Sequence, residues 1–163
     1  MRRGLFLLSA LVVALTAAPI AAGMQPLRET HSSQPDMLVA DQCAFPVLGH
    51  VDGGEIITTF FDQAGNPIRQ IGVFPGNTLT LTNLDNGKSI TVVSTGSSHA
   101  QVNPDGSGSF ASTGPGPVVS NPLTGEPGIW YLRGRLSATF DPEGNETLTS
   151  LTGSLVNLCP ALA

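Results

Sequence analysis

Hydrophobic and polar residues alternate in short runs along most of the chain. In Thr78-Leu79-Thr80-Leu81-Thr82 the leucines fall on one side and the threonines on the other, and Lys88-Ser89-Ile90-Thr91-Val92 brings Ile90 and Val92 together. A period of two is that of a half-buried β-strand, whose successive side chains point to opposite faces. Between these runs, Asn86-Gly87 predicts a two-residue type I′ hairpin turn, because both residues tolerate positive φ. The longest alternating run covers Ile129–Phe140, with Trp130, Leu132, Gly134, Leu136, Ala138 and Phe140 on one face and Tyr131, Arg133, Arg135, Ser137 and Thr139 on the other. The first face is expected to be apolar and the second wet. Gly134 and Ala138 among bulky neighbours are what a strongly curved sheet needs.

Further strands are predicted near residues 55–62, 67–74, 99–103, 107–112 and 146–158. Turn residues break the pattern about every eight to twelve positions. Gly and Pro interrupt every window long enough for a helix, so helix should be nearly absent. The expectation is an all-β fold: an antiparallel meander of about eight strands closed into a barrel, which removes exposed sheet edges, with a two-sheet β-sandwich as the alternative. Phe61-Asp62-Gln63-Ala64-Gly65-Asn66 and Phe140-Asp141-Pro142-Glu143-Gly144-Asn145 share one pattern. Both read as hairpin turns in which an aspartate caps the loop and a glycine takes the left-handed position.

The N-terminus does not follow this alternation. Arg2 and Arg3 precede an apolar run over residues 5–18, broken only by Ser9 and Thr16 and followed by Pro19-Ile20-Ala21-Ala22-Gly23. This order predicts a secretion signal over residues 1–22, cleaved after Ala22. The run is shorter than the roughly 20 residues a membrane span requires and lacks a basic stop-transfer flank, so no stable membrane span is expected after processing. Residues 23–42 mix Gln, Pro, Ser, His and scattered charge without periodicity and are expected to be a disordered leader. Residues 43–163 then form a single β domain.

Charge narrows the range of partners. Losing Arg2 and Arg3 with the signal leaves 5 of the 7 basic residues against all 12 acidic ones, a formal charge of −7. Such a surface repels phosphate backbones and anionic lipid, and with no basic cluster to offset it nucleic acid is excluded as a partner. The two cysteines, Cys43 and Cys159, stand near the ends of the folded region and are expected to pair in an oxidising compartment. Neither has a Cys-x-x-Cys or histidine neighbour that would suggest redox or zinc chemistry.

Candidate chemistry is sparse. His50, Asp52 and Glu55 lie within six residues and form a candidate metal set. Transition metals usually need a third or fourth strong ligand, which only His99 could supply, so a polar turn is the favoured reading. Ser97-Ser98-His99 suggests a nucleophile beside a base, but neighbours in a strand face opposite ways and no Gly-x-Ser-x-Gly elbow exists. Residues 113–128 carry Pro115, Pro117, Pro122 and Pro127 among glycines and read as a long loop, suited to a lid or recognition surface. The loop leads into Trp130, Tyr131 and Leu132, the candidate contacts for a small apolar ligand at a barrel mouth. No cofactor is implied.

Three motifs carry a family likeness. Cys43-Ala44-Phe45-Pro46-Val47, the stretch from Leu81-Thr82-Asn83-Leu84 through Lys88-Ser89, and the ending Leu151-Thr152-Gly153 through Asn157-Leu158-Cys159 resemble small secreted actinobacterial proteins of uncharacterised function. The resemblance implies export and a β domain, and brings no activity or site residues. The first functional expectation is a secreted, non-catalytic β-barrel module, extracellular or cell-wall associated, that binds a small apolar ligand. The alternatives are a structural or interaction protein presenting the 113–128 loop to a cell-envelope component, and a barrel enzyme (isomerase or hydrolase) using His99 or the His50/Asp52/Glu55 group.

Overall fold

The alternating runs fold as strands, and every pairing between them is antiparallel. The computed structural model describes residues 25–32 and 35–163, so the secretion signal expected over residues 1–22 lies outside the described residues. In chain order these residues form β1 (Leu27–His31), β2 (Met37–Val39), β3 (Val47–Asp52), β4 (Glu55–Phe61), β5 (Pro67–Phe74) and β6 (Thr78–Asn83). There follow β7 (Ser89–Val93), β8 (Gly96–Val102), β9 (Gly108–Val119), β10 (Ile129–Phe140), β11 (Glu146–Asn157) and the single-turn helix α1 (Cys159–Leu162).

The strands build two sheets. The larger has seven strands in the order β1-β4-β5-β8-β9-β10-β11, and the smaller has four in the order β2-β3-β6-β7. Among the described residues neither sheet closes on itself, so the expected barrel is corrected to two open sheets. The chain passes back and forth between them, with β2–β3 and β6–β7 in the smaller sheet and β1, β4–β5 and β8–β11 in the larger, so the β6–β7 hairpin is an excursion between β5 and β8. A simple meander would have kept those strands in one sheet.

The smaller sheet packs on the start of β10. Val39, Val47, Leu79 and Leu81 from its inner face meet Ile129, Tyr131, Leu158 and Leu162 in one buried cluster, with Ile90 and Val92 against it. The alternation in β6 and β7 is thus the alternation between this core and solvent. Outside, Thr80 and Thr91 share a hydroxyl hydrogen bond of 2.9 Å across the strands, and Thr82 and Ser89 one of 2.8 Å. A second cluster lies on the other face of β10, where Leu132, Leu136 and Ala138 pack with Phe110, Leu148, Leu151 and Leu155. Leu132 is opposite Leu155 and Leu136 opposite Leu151, so the pairs stack in register.

Three local expectations are corrected. Part of the leader expected to be disordered is ordered: β1 pairs with β4 from Leu27↔Thr59 to His31↔Glu55, and β2 pairs with β3. β1 buries no apolar side chain and β2 contributes only Val39 to the core, so neither is long enough in its apolar face for periodicity to reveal it. The loop expected over residues 113–128 shrinks to residues 120–128, because β9 runs on through Pro115 and Pro117. Beyond Thr113, β9 pairs with β10 alone in the register, which makes it an edge where proline costs no ladder bond. The Asn86-Gly87 turn is not type I′: Gly87 has φ 73°, while Asn86 is not among the residues with positive φ. Asn83 sets a longer loop, its Oδ1 accepting from the Asp85 amide at 2.8 Å and its Nδ2 donating to the Leu162 carbonyl at 3.0 Å.

The Cys43–Cys159 disulfide is present, with Cα atoms 5.5 Å apart, and ties the segment before β3 to α1 across 116 positions of sequence. It closes the buried cluster that joins the two sheets, since Cys43 itself packs against that cluster.

Candidate functional site

Four glycines on four neighbouring strands form a row across the larger sheet. Gly134 of β10 is directly opposite Gly114 of β9 and Gly153 of β11, and Gly96 of β8 lies against Gly114. Gly114 and Gly153 have φ of 119° and 110°, which a side chain rarely adopts. A Cβ on Gly114 would stand 2.2 Å from the Thr95 carbonyl oxygen, and one on Gly153 would stand 2.0 Å from that of Arg133. The row is a crease: glycines stacked in register let backbones approach and the sheet turn sharply.

The crease opens a groove where the smaller sheet ends. Its volume is about 660 Å³ and it is open to solvent. Gly114, Gly134 and Gly153 line its floor with backbone. Tyr131, Arg133 and Arg135 line it from β10, Thr113 and Pro115 from β9, Thr152 from β11 and Val93 from the edge of β7. Alternation explains the set: Tyr131, Arg133 and Arg135 share one face of β10, and Arg135 is directly between Thr113 and Thr152 in the pairing register.

Tyr131 anchors one end. Its face is expected to be wet, yet the ring is only 6% exposed because the smaller sheet covers the start of β10. Its hydroxyl donates to the Val93 carbonyl at 2.8 Å and so joins the two sheets across the groove's end. The Arg133 guanidinium lies 5.3 Å from the centre of the Tyr131 ring, within cation–π range.

The three candidate ligand contacts are not brought together. Tyr131 enters the groove, whereas Leu132, 3% exposed, is packed in the second cluster on the opposite face. Trp130 shares Leu132's face and is opposite Val118 and Asn157. Its indole Nε1 is buried and has no hydrogen-bond partner among the described residues.

The candidate metal set is also divided. His50 and Asp52 share the outer face of β3, with His50 Nε2 3.5 Å from Asp52 Oδ1. Glu55 starts β4 in the other sheet and is buried. The partner that His50 finds is Asp36, whose carboxylate lies 2.6 Å from Nδ1 and raises the imidazole pKa above 6.5. Among the described residues no group of three His, Cys, Asp or Glu is placed to hold a metal ion. His99 is exposed on β8, and its neighbour Ser98 points to the opposite face.

The shortened 120–128 loop is pinned to the body of the protein. Gln42 Oε1 accepts from the Gly128 amide at 3.1 Å and from the Ser120 hydroxyl at 3.0 Å, and Asn121 Oδ1 accepts from the Leu123 amide at 2.9 Å. Leu123 stands exposed at its tip.

Fold and site together define an open, disulfide-closed, two-sheet β protein with one creased face and a groove on the crease. Comparison with protein-family models, with curated proteins and with solved structures finds no match for the chain. Of the likeness to small secreted actinobacterial proteins, what the structure carries is the β domain closed by Cys43–Cys159.

Proposed function

We propose that this chain is an exported, non-catalytic binding module that holds a small molecule with an apolar body in the groove beside Tyr131. The observation that carries the reading is the groove itself. At about 660 Å³ it falls within the roughly 300–1,000 Å³ range of small-molecule sites, and Val93, Pro115 and Tyr131 give it apolar walls. The ligand lies on the crease, not inside a barrel, because the apolar face of β10 is already filled by Leu132, Leu136 and their neighbours. Export is supported by the N-terminal pattern and by the intramolecular disulfide, which persists in oxidising compartments.

The neutral fluorophore N-phenyl-1-naphthylamine tests this reading. At roughly 0.3 kcal/mol per non-hydrogen atom, a probe of about 17 such atoms binds with a Kd on the order of 0.1 mM. Saturable enhancement of its emission is expected from the wild type. Thr152→Trp places a large ring at the groove from an exposed position and should abolish the enhancement with thermal melting unchanged. Non-saturable emission from the wild type, or wild-type binding by a well-folded Thr152→Trp, would refute the proposal.

A further inference from the structure

We infer that the groove selects an anion: a free small amphiphile whose carboxylate or sulfonate sits between Arg133 and Arg135, with its apolar body running toward Tyr131 and Val93. This rests on the binding reading above and names the chemical class of the ligand.

Cations are scarce in this acid-rich chain. Outside the first 22 residues there are five basic side chains against 12 acidic ones. Lys88 reaches the C-terminal residue, its Nζ 2.9 Å from the Ala163 oxygen, Arg69 stacks on Phe60 at 3.9 Å, and Arg28 stands on β1 outside the groove, while Arg133 lies 5.3 Å from the Tyr131 ring inside it. Arg133 and Arg135 both line the groove, and among the described residues neither has a carboxylate within ion-pair distance. Among the described residues no acidic side chain lines the groove. With more than two acids for every base, two arginines in one concavity that no acidic side chain of the described residues lines are a local reversal of the molecule's charge.

Geometry adds to the charge. Two residues apart on one strand, the guanidiniums project from the same face with Cα atoms roughly 7 Å apart, a span that one carboxylate or sulfonate can bridge. Arginine presents a planar fork of donors matched to such groups. Arg135 is flanked in register by Thr113 and Thr152, two exposed hydroxyls that line the same groove and can donate to the anion. Beyond Arg133 the lining turns apolar, with the Tyr131 ring, Pro115 and Val93. A polar head and an apolar tail therefore have separate places along β10. The free molecule is favoured over a membrane surface because the chain's net negative charge repels anionic bilayers.

A matched pair of probes tests the inference on the full chain. 1-Anilinonaphthalene-8-sulfonate is N-phenyl-1-naphthylamine with a sulfonate added, so the ratio of their affinities reads the anion's contribution. The wild type is expected to bind the sulfonate about tenfold more tightly than the neutral probe, one site per chain. Added salt should weaken only the sulfonate. R133Q/R135Q should bring the ratio of the two affinities to about one. Equal affinities in the wild type, or a tenfold preference that survives R133Q/R135Q, would overturn the anion and leave the groove reading standing. Saturable binding of neither probe would overturn the groove reading itself.

Discussion

Gly114→Ala tests the crease that makes the groove. The new methyl group would stand 2.2 Å from the Thr95 carbonyl oxygen and 2.8 Å from Gly96 Cα, and both are backbone atoms. No rotamer change relieves such a contact, so β8 and β9 must separate. Holding a non-glycine residue at φ 119° costs about 1–3 kcal/mol, and overpacking of this kind typically adds about 1–3 kcal/mol. The expected loss is therefore roughly 2–6 kcal/mol, a large part of the 5–15 kcal/mol that usually holds a domain together. Gly65→Ala supplies the control. Gly65 has φ 87° with nothing within 4 Å of its would-be Cβ, so only the left-handed backbone is penalised, by about 1 kcal/mol. Urea unfolding followed by circular dichroism, with the disulfide intact, compares the two. A Gly114→Ala loss no greater than that of Gly65→Ala would refute the claim that the glycine row brings these strands together.

Other consequences follow from the bridge and from the charged turns. Cys43→Ala/Cys159→Ala should lower the unfolding free energy read from urea titration by up to about 5 kcal/mol in the chain-entropy model for a loop of this length, and reductant should reproduce the loss in the wild type. Asp36→Asn should lower the His50 pKa toward 6.5 in an NMR titration, because Asp36 is the main cause of its rise. A raised histidine contributes stability that is complete below its unfolded value and lost as pH climbs through the raised one, so the Asp36–His50 contribution fades above pH 6.5. The Asp141 carboxyl is held below its usual value first by the Asn145 side-chain amide and then by the Asn145 backbone amide. Its contribution is present above about pH 3.8 and lost as pH falls through the lower folded value, so Asp141→Asn should flatten the acid limb of a stability profile.

The alternation that announces β10 also fixes its boundaries, whereas β5 is bounded by the turn residues on either side of it, Gly65-Asn66 and Pro75-Gly76. The matching turns at Asp62 and Asp141 were legible for a local reason: each carboxylate accepts backbone amides and an asparagine side chain four positions on. Tyr131 was legible as a neighbour of Arg133 and Arg135 but not as a buried one, because its cover comes from β7, a strand 38 positions away in sequence. The groove was hidden for a related reason. It arises from glycines on separate strands that meet only after pairing. A sequence signal for it exists in mirror symmetry, since Gly96 and Gly114 are equidistant from Asp105, and Gly134 and Gly153 from the Glu143-Gly144 turn. Placing β2, β3, β6 and β7 in a sheet of their own required tertiary packing that no local pattern encodes.

The claim that this protein is a binding module of the crease is tested most directly by titrating N-phenyl-1-naphthylamine into isotope-labelled protein and mapping amide shifts. Saturable changes clustered at Val93, Thr113, Tyr131, Arg133 and Thr152, with the β3 and β4 amides still, are the predicted result. Shifts centred on another part of the molecule, or a response that never saturates, would contradict it.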